Sequence, residues 1–264
     1  MLNLQLALDF ANRAADGAGE IARAHFRKSI EVEHKSDDSP VTVADRTIER
    51  FLRDRIEQVY PDHGILGEEH GDLNLDREFI WVVDPIDGTK SFVTGHPMFG
   101  GLIALLKNGE PQLGQIDMPA MGERWCGIKG KPTTLNRVPV RTSGCKDLAE
   151  SYAYTTDPML FSGSAQPVLD MLRDRVRLLR FGGDCYNYAL LASGYCDLVL
   201  ETGLQPYDYL PVVQIIRGAG GVISDWHGHD LGIDSRGDVL ASATPELHAQ
   251  MLKELERLHV TEAA

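Results

Sequence analysis

The sequence predicts an α+β fold, and three observations carry that prediction. Two helical patterns open the chain and a succession of strands follows them, a segregation that argues against strict βαβ alternation in the first half. The second half alternates strands and helices. No internal repeat, low-complexity tract or long linker breaks the 264 residues, which suit one large domain or two tightly joined halves. A soft boundary near residue 143 divides them into 1–143 and 144–264.

Leu4, Ala7, Ala11 and Ala14 recur at helical spacing, predicting an amphipathic helix from about Asn3 to Arg27. "KSDDSPVT" (35–42) is polar with a late proline and reads as a loop. A second helix starts near Val43, with Ile48, Leu52, Ile56 and Val59 as its stripe, and Pro61 stops it. "GILGEEHG" is a short strand running into acids. "FIWVV" (79–83) is apolar throughout and reads as a strand covered on both faces. "GGLIALLKNGEPQLGQIDMP" is a hairpin turning at "KNGE", and "ERWCGIKGKP" and "RVPVRTS" are further strands. Then come strand "SYAYTT", helix "AQPVLDMLRD", strand "VRLLRF", helix "DCYNYALLASG" and strand "CDLVLET". "YDYLPVVQIIRGAG" is a helix ended by Gly220-Gly221. "GVISDW" and "DVLASA" are strands, and "PELHAQMLKELERL" is a last helix.

Composition excludes some functions. The formal net charge of −13 repels nucleic acid and anionic membranes, and no basic patch with interleaved aromatics offsets it. The first twenty residues lack the basic start and long apolar core of a signal peptide, and no apolar run is long enough to cross a bilayer. Cys126, Cys145, Cys185 and Cys196 form no C-x-x-C pair; free cytosolic thiols are expected, with a disulfide as the alternative. The expected setting is therefore the cytoplasm, and the expected ligand a small molecule.

The chemistry gathers around "VVDPIDGTKSF". Asp84 stands where a buried strand surfaces, the end of the strand at which α/β sheets collect ligands. Pro85 biases Asp84 toward extended backbone, and Gly88 permits a tight turn. Asp84 and Asp87 are thereby held in fixed relation, with the Ile86 carbonyl turned to the same point; such hard oxygen donors suit Mg²⁺. If the next segment turns helical at Thr89-Lys90, its N–H groups favour a phosphate. A plain surface turn explains D-P-x-D-G equally well. The acid spacing is wrong for an EF-hand, and the spacing of three differs from the two-apart aspartates of haloacid-dehalogenase-type phosphatases. Further acids weigh against a plain turn. Glu68-Glu69 follows the strand "GIL", and Asp45 and Asp208 start helices, where taken singly each reads best as a cap.

Four segments together, "SPVTVAD" (39–45), "GEE" (67–69), "WVVDPIDGTKSF" (81–92) and "YDYLPVVQIIRGAGG" (207–221), resemble the inositol-monophosphatase family of metal-dependent phosphatases. "GIKGKPTTLNRVPV" looks like that family's hairpin before the midpoint, so the likeness is collinear over nearly the whole chain. It implies a layered α-β-α-β-α sandwich, two or three Mg²⁺ per site and a homodimer. Glu68, Asp84, Asp87, Asp208 and the Ile86 carbonyl fall on metal-ligating positions. Asp87, Gly88 and Thr89 fall on the phosphate turn, and Asp45 on an acid that hydrogen-bonds the threonine. The implied reaction is direct attack of an activated water on a phosphate monoester without a phosphoenzyme, with Glu68, Thr89 and Asp45 as the catalytic residues.

The last motif departs from the usual Trp-Asp followed by small residues: here it is Tyr207-Asp208, with Leu210-Pro211 behind. Asp184 stands where inositol-specific members tend to have a small residue. "GGDCY", "ETGLQPYD" and "GAGGVISDW" resemble the histidinol-phosphate phosphatases within the family. Histidinol phosphate carries an ammonium group, which a carboxylate can hold by a charge-assisted hydrogen bond. Asp184, Glu201 and Asp208 are the candidate substrate contacts; Asp184 as a helix cap and Glu201 as a partner for a sugar hydroxyl are the alternatives. Inositol 1-phosphate or a broad range of sugar phosphates is the alternative substrate, and a bisphosphate nucleotide or a non-catalytic binding role ranks below it.

Overall fold

Asn3 caps the first helix, α1 (Leu4–His25). Its Oδ1 accepts from the N–H groups of Gln5 (2.9 Å) and Leu6 (3.3 Å), donors that a helix start leaves unpaired. This is seen in a computed structural model that describes residues 2–29, 32–34 and 40–262. The loop expected over 35–42 lies outside the described residues as far as 39. Pro40–Thr42 is a strand, β2, antiparallel to β1 (Val32–His34). The helix α2 (Val43–Val59) buries Ile48, Leu52 and Ile56 as expected, but Val59 is 51% exposed. Val59 is the final helical residue, and Tyr60 takes the place beside Phe10 and Trp81 instead.

The first sheet is ordered β3 (Gly64–Gly67), β4 (Phe79–Asp87), β5 (Gly100–Lys107), β6 (Glu110–Met118), β7 (Glu123–Ile128), β8 (Thr134–Leu135) and β9 (Val138–Pro139). A five-residue helix, α3 (Thr89–Val93), leaves the end of β4. Only β3 and β4 run parallel. The β5–β6 turn forms at Asn108-Gly109, both at positive φ (50° and 81°), as a two-residue hairpin requires. "RVPVRTS" supplies just the two residues of β9.

The second sheet is ordered β11 (Leu178–Phe181), β10 (Tyr152–Thr155), β12 (Leu198–Glu201), β14 (Val239–Ser242) and β13 (Val222–Ser224). Its first three strands are parallel, so their carboxyl ends share one edge. The remaining helices are α4 (Gln166–Arg175), α5 (Cys185–Ala192), α6 (Pro206–Gly218) and α7 (Pro245–Glu262).

Side-chain alternation along β4 explains its continuous apolar run. Trp81 and Val83 face α1 and α2, with Ile65, Ile103 and Leu105. Ile80 and Val82 face the other way, with Leu102 and Ala104, against Tyr188 and Leu191 of α5 and Val212, Val213 and Ile216 of α6. The far face of the second sheet, Ala153, Leu198, Leu200 and Leu240, is covered by Leu172 of α4 and Leu247 and Met251 of α7. The layers are therefore α1/α2, seven-stranded sheet, α5/α6, five-stranded sheet, α4/α7: the layered sandwich. The approach of α6 to the first sheet is close enough to demand glycine, because a Cβ on Gly114 would stand 1.8 Å from the Pro211 carbonyl oxygen. No helix among the described residues is long and apolar enough to cross a membrane, and the four cysteines are free.

Candidate active site

Two carboxylates three apart on a regular strand would point to opposite faces. Here β4 slips register: Asp84 pairs with Leu102 but Asp87 with Gly100, so one extra residue bulges out between them. The bulge turns both acids to one side. Asp84 is buried, and its Oδ1 accepts from the Ile86 N–H at 3.0 Å, which fixes the turn. Asp208 arrives from the first turn of α6, where one oxygen accepts from the Gln205 N–H (2.7 Å) as a cap. Capping and site membership coexist, because ligand atoms of Asp84, Asp87 and Asp208 all lie within 4.8 Å of one another.

Glu68 joins them from the loop after β3, close enough to act on Asp84 by charge and by hydrogen bond. That loop is pinned by a residue the sequence reading passed over. Glu49 on α2, fully buried, accepts from the N–H groups of Glu69 (2.6 Å) and His70 (3.1 Å) and from Arg53 (2.8 Å). An acid inside an otherwise apolar helix face, with arginine four residues on, was the available signal.

Electrostatically the cluster is costly. Burial, then the charges of Glu68, Asp87 and Asp208, push Asp84 well above the carboxylate range. Burial, then Asp208, pushes Asp87 up to about 7, against a hydrogen bond from the Cys185 N–H (2.6 Å). Burial pushes Asp208 up to about 7 as well, and Glu68 adds to it. No lysine or arginine is prominent among the groups acting on these three. Converging carboxylates without a protein cation fit a hard divalent ion, which would supply the missing positive charge. Mg²⁺ thus fits a donor set of Glu68, Asp84, Asp87 and Asp208. The Ile86 carbonyl accepts one hydrogen bond, from Thr89 Oγ1 (3.0 Å), and retains a second lone pair.

That last bond differs from expectation. The resemblance pairs Asp45 with Thr89, whereas here the Thr89 hydroxyl turns to Ile86. Asp45 Oδ2 accepts from both the N–H (2.8 Å) and the hydroxyl of Thr42, closing a capping box on α2. Its Oδ1 is buried without a partner among the described residues. The cap uses Oδ2 alone, and the Thr89 hydroxyl takes the nearer carbonyl of Ile86. Gly88, at φ +82°, is the residue before α3, and a Cβ there would stand 2.9 Å from Asp184 Oδ2.

The same cleft, about 340 Å³, extends from Glu68, Asp87, Gly88, Thr89 and Asp208 to Thr156, Asp157, Leu160, Asp184, Glu201 and Leu204. Its far wall stands at the carboxyl ends of the three parallel strands β10, β11 and β12. Asp184 follows Gly182 and Gly183, all at positive φ, and at φ +47° it is held in backbone that glycine favours. Asp184 makes no capping bond to α5; Asp87 takes the first N–H of that helix, and the Asp184 carboxylate meets Ser91 Oγ at 3.4 Å. Burial, then the Asp87 charge, pushes Asp184 up to about 7. Glu201 is buried and accepts from Thr155 Oγ1 (3.1 Å), Thr156 N (2.8 Å) and Thr156 Oγ1 (2.9 Å); burial still pushes it up to about 8. The two threonines were not singled out in the sequence. Lys90, at the mouth, pairs with Asp157 at 3.2 Å.

Elsewhere Trp81 is core, donating to His63 (3.1 Å). Trp226 is buried and stacks with Phe161. Cys185 packs as a small hydrophobe against Met118.

The sequence profile of the Inositol monophosphatase family matches residues 3–259. The chain is 46% identical over 254 residues to the bifunctional phosphatase IMPL2, chloroplastic, of Arabidopsis thaliana, spanning 93% of this chain and 73% of that protein. It is 37% identical over 242 residues to a histidinol-phosphatase of Chlorobaculum parvum, spanning 91% and 92% of the two. A solved inositol monophosphatase from Zymomonas mobilis superposes with a TM-score of 0.88 at 41% identity, covering 97% of this chain and all of that one. With the acid cluster, the layered fold and these likenesses in agreement, the chain belongs to the inositol monophosphatase family.

Proposed function

We propose that this family phosphatase is a Mg²⁺-dependent histidinol-phosphate phosphatase, releasing histidinol and phosphate in a step of histidine biosynthesis. One observation carries the reading: the cleft that holds the metal-binding acids is lined by two further carboxylates, Asp184 beside Gly88 and Asp87, and Glu201 at the end of β12. The Asp84–Asp87–Asp208 cluster suits a phosphate once Mg²⁺ is present, and the two additional carboxylates suit a cation next to that phosphate. Among the described residues lining the cleft, Lys90 is the sole lysine or arginine, and Asp157 engages it.

Glu68, Asp84, Asp87, Asp208 and the Ile86 carbonyl would hold two or three Mg²⁺. The ions supply positive charge that offsets the phosphate oxygens and makes water more acidic. The chain's own groups orient and exclude. The Thr89 hydroxyl donates to Ile86, so its lone pairs can accept from the attacking water, and Glu68 takes the proton. Asp45 keeps one buried oxygen without a partner among the described residues, an acceptor that the Thr89 hydroxyl would meet on releasing Ile86. The N–H groups of Gly88 and Thr89 bind phosphate oxygens. The substrate ammonium favours the ionised forms of Asp184 and Glu201, which burial pushes up to about 7 and about 8, and these carboxylates accept from it.

Asp184→Asn tests this reading. Losing a hydrogen bond between two charged groups, about 1.5–3 kcal/mol, should raise KM for histidinol phosphate roughly 10- to 100-fold. KM for an uncharged sugar phosphate should barely move; equal effects on both would overturn the assignment. Hydrolysis of inositol 1-phosphate is the second reading, and Glu201 is compatible with it, since a carboxylate also accepts from a hydroxyl, without the added attraction an ammonium brings.

A further inference from the structure

We infer that Thr156 is a positioning residue for substrate selection: it saturates one oxygen of Glu201 and so presents the other to a donor group of the substrate. This rests on the reading of Glu201 as a substrate contact.

An ionised carboxylate offers about four lone-pair directions. Thr156 occupies Oε1 twice, with its N–H at 2.8 Å and its hydroxyl at 2.9 Å. Thr155 occupies Oε2 once, with its hydroxyl at 3.1 Å. One acceptor direction remains, on Oε2. Burial pushes Glu201 up to about 8; an ammonium beside it favours the ionised form, which has no proton to offer, so the substrate brings the donor. Thr156 also lines the cleft, alongside Glu201 and Asp184.

The topology explains why two donors are needed on one atom. Glu201 ends β12, and Thr155 ends the neighbouring parallel strand β10. The Thr156 N–H and the Thr155 hydroxyl each hold one oxygen of the carboxylate. The Thr156 hydroxyl fills the second lone pair of Oε1, which leaves Oε2 alone to meet the substrate. The strand pairing does not require that hydroxyl, because the backbone ladder already joins β10 to β12.

The test is Thr156→Val in the full chain with Mg²⁺, assayed on histidinol phosphate and on p-nitrophenyl phosphate, whose leaving group carries no hydrogen-bond donor. The expected result is a five- to tenfold rise in KM for histidinol phosphate, kcat within twofold, and unchanged KM for p-nitrophenyl phosphate. Thr156→Ser should restore the wild-type KM within twofold. Thr156→Ala, measured alongside, removes the same hydroxyl if the valine variant folds poorly. A lowered melting temperature with KM unmoved would make the hydroxyl merely structural and overturn the inference, as would equal KM changes on the two substrates. Glu201→Gln separates the two levels. If it raises KM while the Thr156 variants do not, the positioning role falls and the reading of Glu201 stands; if none of them moves KM, both fall. Should the wild type prefer inositol 1-phosphate, that substrate takes the place of histidinol phosphate, since its hydroxyls are donors too.

Discussion

Mg²⁺ affinity should climb steeply with pH below neutrality, and the size of the effect follows from the acid cluster. Asp87 and Asp208 are both pushed up to about 7 when no ion is present. At pH 6 each is therefore about nine-tenths protonated, and an ion must displace both protons to bind. Each proton weakens apparent affinity by about tenfold, so the pair weakens it by about 100-fold at pH 6 relative to the alkaline limit. Asp84, held higher still, extends the rise beyond neutrality. The assay is calorimetric titration of metal-free protein with Mg²⁺ in two buffers of different ionisation enthalpy. Release of more than two protons per site is expected at pH 6, since Asp84 gives up its own besides those of Asp87 and Asp208, declining as pH rises. Stability without metal runs the other way. Folded values lie above the unfolded value of 3.8, so the folded chain holds protons between about pH 4 and 7 that the unfolded chain has lost. That contribution is fully present below pH 4 and is lost as pH rises through 7, so the rise in melting temperature on adding Mg²⁺ should be larger at pH 8 than at pH 6. Equal Mg²⁺ affinity at pH 6 and pH 8, with no proton release, would refute the convergence of these carboxylates on an ion.

Three substitutions probe the parts that build the site. Asp84→Asn should lower kcat by about 10³-fold through weakened metal binding, while the melting temperature of the metal-free protein changes little, because burial and the neighbouring acids already hold Asp84 in its neutral form. Gly88→Ala places a Cβ at φ +82° and 2.9 Å from Asp184 Oδ2; about 1–2 kcal/mol of stability should be lost in denaturant titration, and activity should fall further as the turn shifts. Gly114→Ala sets a Cβ 1.8 Å from the Pro211 carbonyl oxygen, so α6 must move. A loss of about 3 kcal/mol is expected, with weakened Mg²⁺ binding because Asp208 travels with that helix; a neutral result would contradict the close approach of α6 to the sheet.

Local patterns carried much of this molecule into the sequence. The all-apolar "FIWVV" announced a strand with helices on both sides, and Trp81 and Ile80 do face different layers. The Asp-Pro-x-Asp-Gly turn announced fixed acids, but its spacing of three makes sense only with the bulge between Asp84 and Asp87, which depends on the partner strand. Asp45 and Asp208 were legible as caps because capping is local, and both do cap. What stayed hidden depends on distant pairings. Glu49 pins the Glu68 loop across twenty residues, and Thr156 meets Glu201 across forty-five. Val59 lay on the right face of its helix, but helical periodicity says nothing of the neighbour, Tyr60, that takes its place in the packing. The Thr89 hydroxyl donates to Ile86, three residues back, while Asp45 caps its own helix through Oδ2, and no local pattern fixes which of these a threonine takes.

The most direct test of the central claim is a side-by-side measurement of phosphate release by the wild-type chain with Mg²⁺ on histidinol phosphate and inositol 1-phosphate. An acidic wall facing a cation predicts kcat/KM at least tenfold higher for histidinol phosphate, in line with about 1.5 kcal/mol or more from one charge-assisted hydrogen bond. Equal or greater efficiency on inositol 1-phosphate would contradict it.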